Sequence, residues 1–223
     1  GLTLTNGDKD VFIDIMDTMS RDLQGAIFPN VGSGVMTNMN SIDAPLWYFW
    51  SLQQYIEFTG DSKTIKSRYL EKMKGIINGF REGTDFNIHM LDNGLIWGGQ
   101  EGIALTWMDA VTPDGPVTPR IGCPVEIQAL WYNALRFYHE LTGEDEILAL
   151  AEKAKESFIR EFWSEEKEYL ADVVDGDEKD WAVRPNMVLA TSLPYSMLDE
   201  EKSDMVLEIV KSKLLTTRGL RSL

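Results

Sequence analysis

Residues 104–135, ALTWMDAVTPDGPVTPRIGCPVEIQALWYNAL, bring Trp107, Asp109, Arg120 and Glu126 together around a stretch broken by prolines and glycines. Two further sets carry similar side chains. Asp43 stands just ahead of the run Trp47, Tyr48, Phe49 and Trp50, and Trp97 is followed by Gly98, Gly99, Gln100 and Glu101. A carboxylic acid can hand over a proton, and a carboxylate can take one from water. An indole face covers apolar C–H surface, while carboxylate, amide and guanidinium groups bind hydroxyls. A pyranose ring offers both surfaces. Cleaving a glycosidic bond needs one carboxylic acid to protonate the leaving oxygen and a second carboxylate acting on water or on the anomeric carbon.

Each of these residues also has a plainer reading. Asp43 fits a helix N-cap. Glu126 fits a first-turn acid favoured by the helix dipole. Trp47, Trp50, Trp131 and Tyr132 fit a core, and Arg120 can pair with one of many acids. Asp109 is harder to place this way, because no helix begins after it. His89 and His139 lack the spacing of metal ligands and read as structural. Cys123, between Gly122 and Pro124 with no nearby histidine, does not read as a nucleophile. No glycine loop of the phosphate-cradling type is present.

The elements that must position these residues are mostly helical by period. Apolar spacing predicts helices over 9–24, 44–59, 62–81, 125–141, 145–162, 186–197 and 200–213, with Ser62 capping the third. Residues 83–103 read as loops and turns, and 164–184 as irregular chain with a short strand at YLADVV. LWYFWSLQQYIEFTGD (46–61) is echoed by LWYNALRFYHELTGED (130–145) once one residue is skipped. Such an echo implies recurring helix pairs. Long acidic and aromatic loops favour a closed α/α toroid over an open solenoid.

The net charge of −15, from 36 acidic and 21 basic residues, works against binding nucleic acid phosphates or anionic membranes. The charge points instead to a neutral or cationic small molecule, or to no charged partner at all. One cysteine permits no internal disulfide and fits a reducing compartment, so a cytoplasmic location is expected. No apolar run is long enough to span a bilayer. Gly1 stands where an initiator methionine would, as in a processed or excised piece.

The segments IDAPLWYFWSLQQYIEFTGD, GLIWGGQEGIALTWMDA, VTPRIGCPVEIQALWYNAL and RPNMVLATSLP, in this order and spacing, resemble the glucosidase domain of bacterial and archaeal glycogen debranching enzymes, the amylo-α-1,6-glucosidase type. The resemblance implies an all-α (α/α)6 toroid. It implies hydrolysis, with inversion and without a cofactor or metal, of α-1,6-linked glucose at glycogen branch points. The α-glucan, glycogen or limit dextrin, is the implied partner. The aspartate of TWMD, here Asp109, would be the general acid, its proton retained near working pH by burial or a neighbouring charge. Asp43, Trp107, Arg120, Glu126 and Asn186 would line the glucose pocket, with Gln100 also binding substrate.

Cys123 replaces the lysine usual in that family. In the family a segment with the second catalytic carboxylate follows the GLRSL motif, and a tryptophan- and aspartate-containing GRD segment comes upstream of the position of residue 1. Neither is present, so residues 1–223 are expected to form one incomplete toroid lacking its N- and C-terminal parts and to be inactive alone. Uncovered helix faces then offer a surface for a homodimer. Other readings are a related toroid glucosidase, of the trehalase or glucoamylase type, and an inactive carbohydrate-binding module.

Overall fold

The computed structural model describes residues 2–30 and 39–222. Eight α-helices occur among them: α1 (Leu2–Thr5), α2 (Lys9–Asp22), α3 (Ala44–Thr59), α4 (Ser62–Glu82), α5 (Val125–Thr142), α6 (Asp145–Phe162), α7 (Leu189–Ser192) and α8 (Glu200–Leu214). The echoed sequences become two successive helix pairs, α3–α4 and α5–α6. Both first helices end in the same way. Thr59 Oγ1 donates to the Tyr55 carbonyl and Thr142 Oγ1 to the Tyr138 carbonyl, at 2.6 and 3.0 Å. Gly60 and Gly143 then take left-handed conformations, with φ of 70° and 74°. Glycine enters that region without steric penalty, which is why TG punctuates both copies.

α5 lies at the centre. Trp131, Tyr132, Leu135 and Phe137 are all buried, so the core reading of Trp131 and Tyr132 holds. Phe80 of α4 stacks on Trp131 at 5.9 Å. Asn133 Nδ2 donates to Gln53 Oε1 at 2.9 Å, a polar tie between α5 and α3 inside an otherwise apolar contact. The bond gives a buried donor and a buried acceptor a partner.

Short strands occupy the connections between helices: β1 (His89–Met90) and β2 (Ile96–Trp97), β3 (Val111–Thr112) and β4 (Gly115–Pro116), and β5 (Cys123–Pro124). After α6 come β6 (Trp163–Ser164), β7 (Tyr169–Leu170), β8 (Val173–Asp175) and β9 (Glu178–Asp180); after α8, β10 (Leu215–Thr216) and β11 (Gly219–Leu220). β5, β8 and β9 form a three-stranded antiparallel sheet in that order, and each of the others pairs with its neighbour in a two-stranded ribbon. The strand expected at YLADVV is thus split in two, with Ala171 and Asp172 between the halves.

Three local expectations are corrected. The helix expected over 186–197 is a 3-10 turn, Pro185–Val188, followed only by α7. Leu193 is extended, with ψ of 152°, because the residue before Pro194 is pushed out of the helical region. Ser62 is the first residue of α4 rather than its cap; Asp61 caps it, accepting from Thr64 N at 3.0 Å. Asp43 occupies the N-cap position of α3, but its side chain makes no capping bond and accepts instead from Ser41 Oγ at 2.5 Å. No helix is long and apolar enough to cross a membrane among the described residues.

Candidate active site

Two neighbouring cavities, of about 410 and 420 Å3, share Asp43 and Trp107 in their walls. The first is bordered by Asn30, Asn40, Ser41, Thr106 and Asp109. The second is bordered by Trp47, Glu126, Asn186 and Leu189. Asp43 reaches both because α3 starts there and its carboxylate is not used in capping. Trp47, one helical turn on, follows it onto the same face, and its ring meets Trp50 edge-on at 5.6 Å.

Trp107 is 48% exposed although it lies between buried Thr106 and partly buried Met108. Its indole Nε1 donates to Asn186 Oδ1 at 2.8 Å. One edge of the ring is therefore tied down while much of its surface stays open, as suits a platform for a flat apolar ligand face. Asp109 follows two residues later and is exposed. The burial expected to retain its proton is not supplied by the described residues around it.

Behind this wall lies an ion cluster. Arg120 is 8% exposed and reaches Glu126 with both terminal nitrogens: Nη2 lies 2.7 Å from Oε2, and Nη1 pairs with Oε1. Its Nε donates to Asp172 Oδ2 at 3.0 Å and Nη2 to Oδ1 at 3.1 Å. The second Nη1 donor goes to Thr106 Oγ1 at 3.3 Å. All five guanidinium N–H donors are thus engaged by the protein, and Arg120 borders neither of the two cavities. It holds the loop and Glu126 in place. Burial would lower the Arg120 guanidinium, but the charges of Glu126 and Asp172 overcome that effect and raise it. Burial pushes the Glu126 carboxyl up, and the facing guanidinium pulls it part of the way back.

Asp172 is fully buried and was not singled out by sequence reasoning. It also accepts from Arg184 Nη1 at 2.7 Å and from Asn186 Nδ2 at 2.7 Å. Its own carbonyl receives Val125 N at 2.9 Å, which supplies a partner for one of the free N–H groups at the start of α5. The signal available in the sequence was an acid inside the apolar run YLADVV, an arrangement that demands a partner. Nothing local said which one.

Of the seven residues predicted for the site, Asp43, Trp107, Asp109, Glu126 and Asn186 border the two cavities, and Arg120 stands behind them. Gln100 is exposed in a turn, paired through its backbone with Ile103, and borders neither cavity. Cys123 is buried, and burial pushes its thiol up to about 12, against nucleophilic use. His89 Nδ1 meets the Asn87 carbonyl at 2.6 Å and His139 Nδ1 the Glu144 carbonyl at 3.0 Å. No group of three or more His, Cys, Asp or Glu side chains is disposed to hold a metal ion among the described residues.

Comparison with known structures returns glycosidases. The GH78 family rhamnosidase of Bacillus sp. GL1 aligns with a TM-score of 0.59 at 18% identity, over 78% of this chain and 17% of its own. The rhamnosidase from Klebsiella oxytoca with rhamnose bound aligns with a TM-score of 0.56 at 10% identity, over 85% of this chain and 34% of its own. At such identities the likeness is one of fold: the chain has a helical, glycosidase-like architecture and spans only about a sixth to a third of those chains. No curated protein matches it. The family model for amylo-alpha-1,6-glucosidase matches residues 1–223 in full, and the chain belongs to that family of glycoside hydrolases.

Proposed function

We propose that this chain forms part of an (α/α)6 toroid that hydrolyses the α-1,6-linked glucose at a branch point of glycogen or its limit dextrin, with inversion. One observation carries the reading: an open indole, Trp107, borders two neighbouring cavities, with Asp109 bordering one and Glu126 and Asn186 the other. The terminal glucose occupies the cavity beside Trp47 and Trp107, with Asp43 and Asn186 taking its hydroxyls. The leaving glucan extends past Asp109, which protonates the glycosidic oxygen.

Glu126 has both oxygens on Arg120 and is not free to activate water. The inverting base is placed outside these residues, about 6.5–9.5 Å from the acid to leave room for a water. Cytoplasmic location and homodimer formation remain part of the same reading.

The test is glucose release from glycogen limit dextrin by the complete product of the gene, by this chain alone, and by the complete product with Asp109→Asn. Release by the complete wild type only supports the reading. Turnover by the Asn variant removes Asp109 as the acid, and turnover by the chain alone removes the external base. An inert wild type that hydrolyses trehalose or linear maltodextrin instead assigns the site to a related glucosidase. One that binds glucose without turnover of any of these substrates assigns it to a recognition module.

A further inference from the structure

We propose that Asp172 is a positioning residue for Trp107, acting through the side-chain amide of Asn186. The three form a directed chain. Asp172 Oδ1 accepts Asn186 Nδ2 at 2.7 Å, and Asn186 Oδ1 accepts Trp107 Nε1 at 2.8 Å. A carboxylate only accepts and an indole N–H only donates. The group between them must present a donor to one and an acceptor to the other, in a fixed relative orientation. A primary amide does this, and only one of its two flip states does so here. Asp172 therefore selects the amide orientation that holds the indole.

The anchor cannot turn away. Oδ1 also accepts from Arg120 Nη2 at 3.1 Å, while Oδ2 accepts from Arg120 Nε at 3.0 Å and Arg184 Nη1 at 2.7 Å. Two bonds to each oxygen fill the carboxylate's lone-pair directions. Asp172 and Asn186 are both buried, and both ends of the amide are already engaged. A second arm reaches the adjacent residue of the loop: Arg120 Nη1 donates to Thr106 Oγ1 at 3.3 Å. The cluster thus holds Thr106 and Trp107 from behind while the indole remains 48% exposed in front. A half-exposed tryptophan left to itself samples several rotamers, and fixing it beforehand removes that entropy from ligand binding. The value of this device to catalysis rests on the reading of Trp107 as the glucose platform; the coupling itself does not.

The experiment follows indole N–H signals by 1H–15N NMR in this chain. Trp107 is identified by the signal lost in Trp107→Phe. Trp131, whose Nε1 donates to the Gly94 carbonyl at 3.1 Å in the buried core, reports folding. In Asp172→Asn the Trp107 proton should shift and exchange with solvent at least about tenfold faster, as expected for a lost hydrogen bond of ordinary strength, while Trp131 is unchanged. Where that variant does not fold, Asn186→Asp takes its place, since it sets a second carboxylate against Asp172.

An unmoved Trp107 in either folded single variant overturns the proposal. In the complete enzyme the folded variants should raise KM for limit dextrin more than they lower kcat. Coupling in the NMR experiment without any turnover by wild type would refute the proposed function and leave the positioning role intact.

Discussion

Arg120→Ala is the sharpest perturbation of the cluster behind the site. It leaves Glu126, 1% exposed, facing no cation, whereas Asp172 keeps Arg184 at 2.7 Å. The deficit is therefore that of one uncompensated buried carboxylate together with the lost bond to Thr106. Removing one partner of a buried ion pair costs about 3–5 kcal/mol. A domain of this size loses about 2–4 °C of Tm per kcal/mol, so the midpoint should fall by roughly 6–20 °C. Urea unfolding followed by far-UV circular dichroism gives the free energy directly.

The pH dependence has a definite sign. Burial holds the Glu126 carboxyl above its ordinary value, so the native state binds the extra proton and stability falls as pH rises through the folded titration. Without Arg120 that titration moves higher still. The gap between wild type and Arg120→Ala should narrow as pH falls toward the ordinary carboxylate range. The double variant Arg120→Met with Glu126→Leu removes both charges and should recover at least half of the loss. A single-variant loss below about 1 kcal/mol would refute a desolvated pair, because that is the range of exposed ones. So would a gap that widens on acidification.

Asp109→Asn in the complete enzyme should lower kcat for limit dextrin by about 10²–10⁴-fold, the usual contribution of a general acid, with Tm unchanged because the residue is exposed. Gly122→Ala should destabilise by about 1–3 kcal/mol from its left-handed backbone alone: its φ is 124°, and an added Cβ would stand 2.7 Å from the Val174 carbonyl oxygen. Calorimetry on that variant checks the value. Cys123 should react with a disulfide reagent only after urea unfolding, as a buried thiol does whose burial holds it protonated; a rapid native-state reaction would show the site open.

Much of the frame was legible because it is local. Helix α6 runs over Asp145–Phe162 as its apolar period predicts, and α4 and α5 agree to within one residue. The TG of both echoed segments marks two matching helix ends, since glycine readily takes the left-handed conformation with which many helices close. The failures were also instructive. Asp43 fits the statistics of a cap, yet its carboxylate turns to Ser41 and to the cavities. Residues 186–197 carry a helical period that Pro194 and the commitments of Asn186 override.

The sequence by itself determined the long helices, the family and the aromatic and acidic loop that carries Asp109, because periodicity, caps and ordered motifs lie within a few residues of one another. Only the tertiary structure decided which charges meet. Asp172 finds Arg120 52 positions away, and Asn186 finds Trp107 79 positions away. Such pairs form where separate segments exclude water together, and the desolvation that makes an unpaired charge intolerable exists only once the chain has folded.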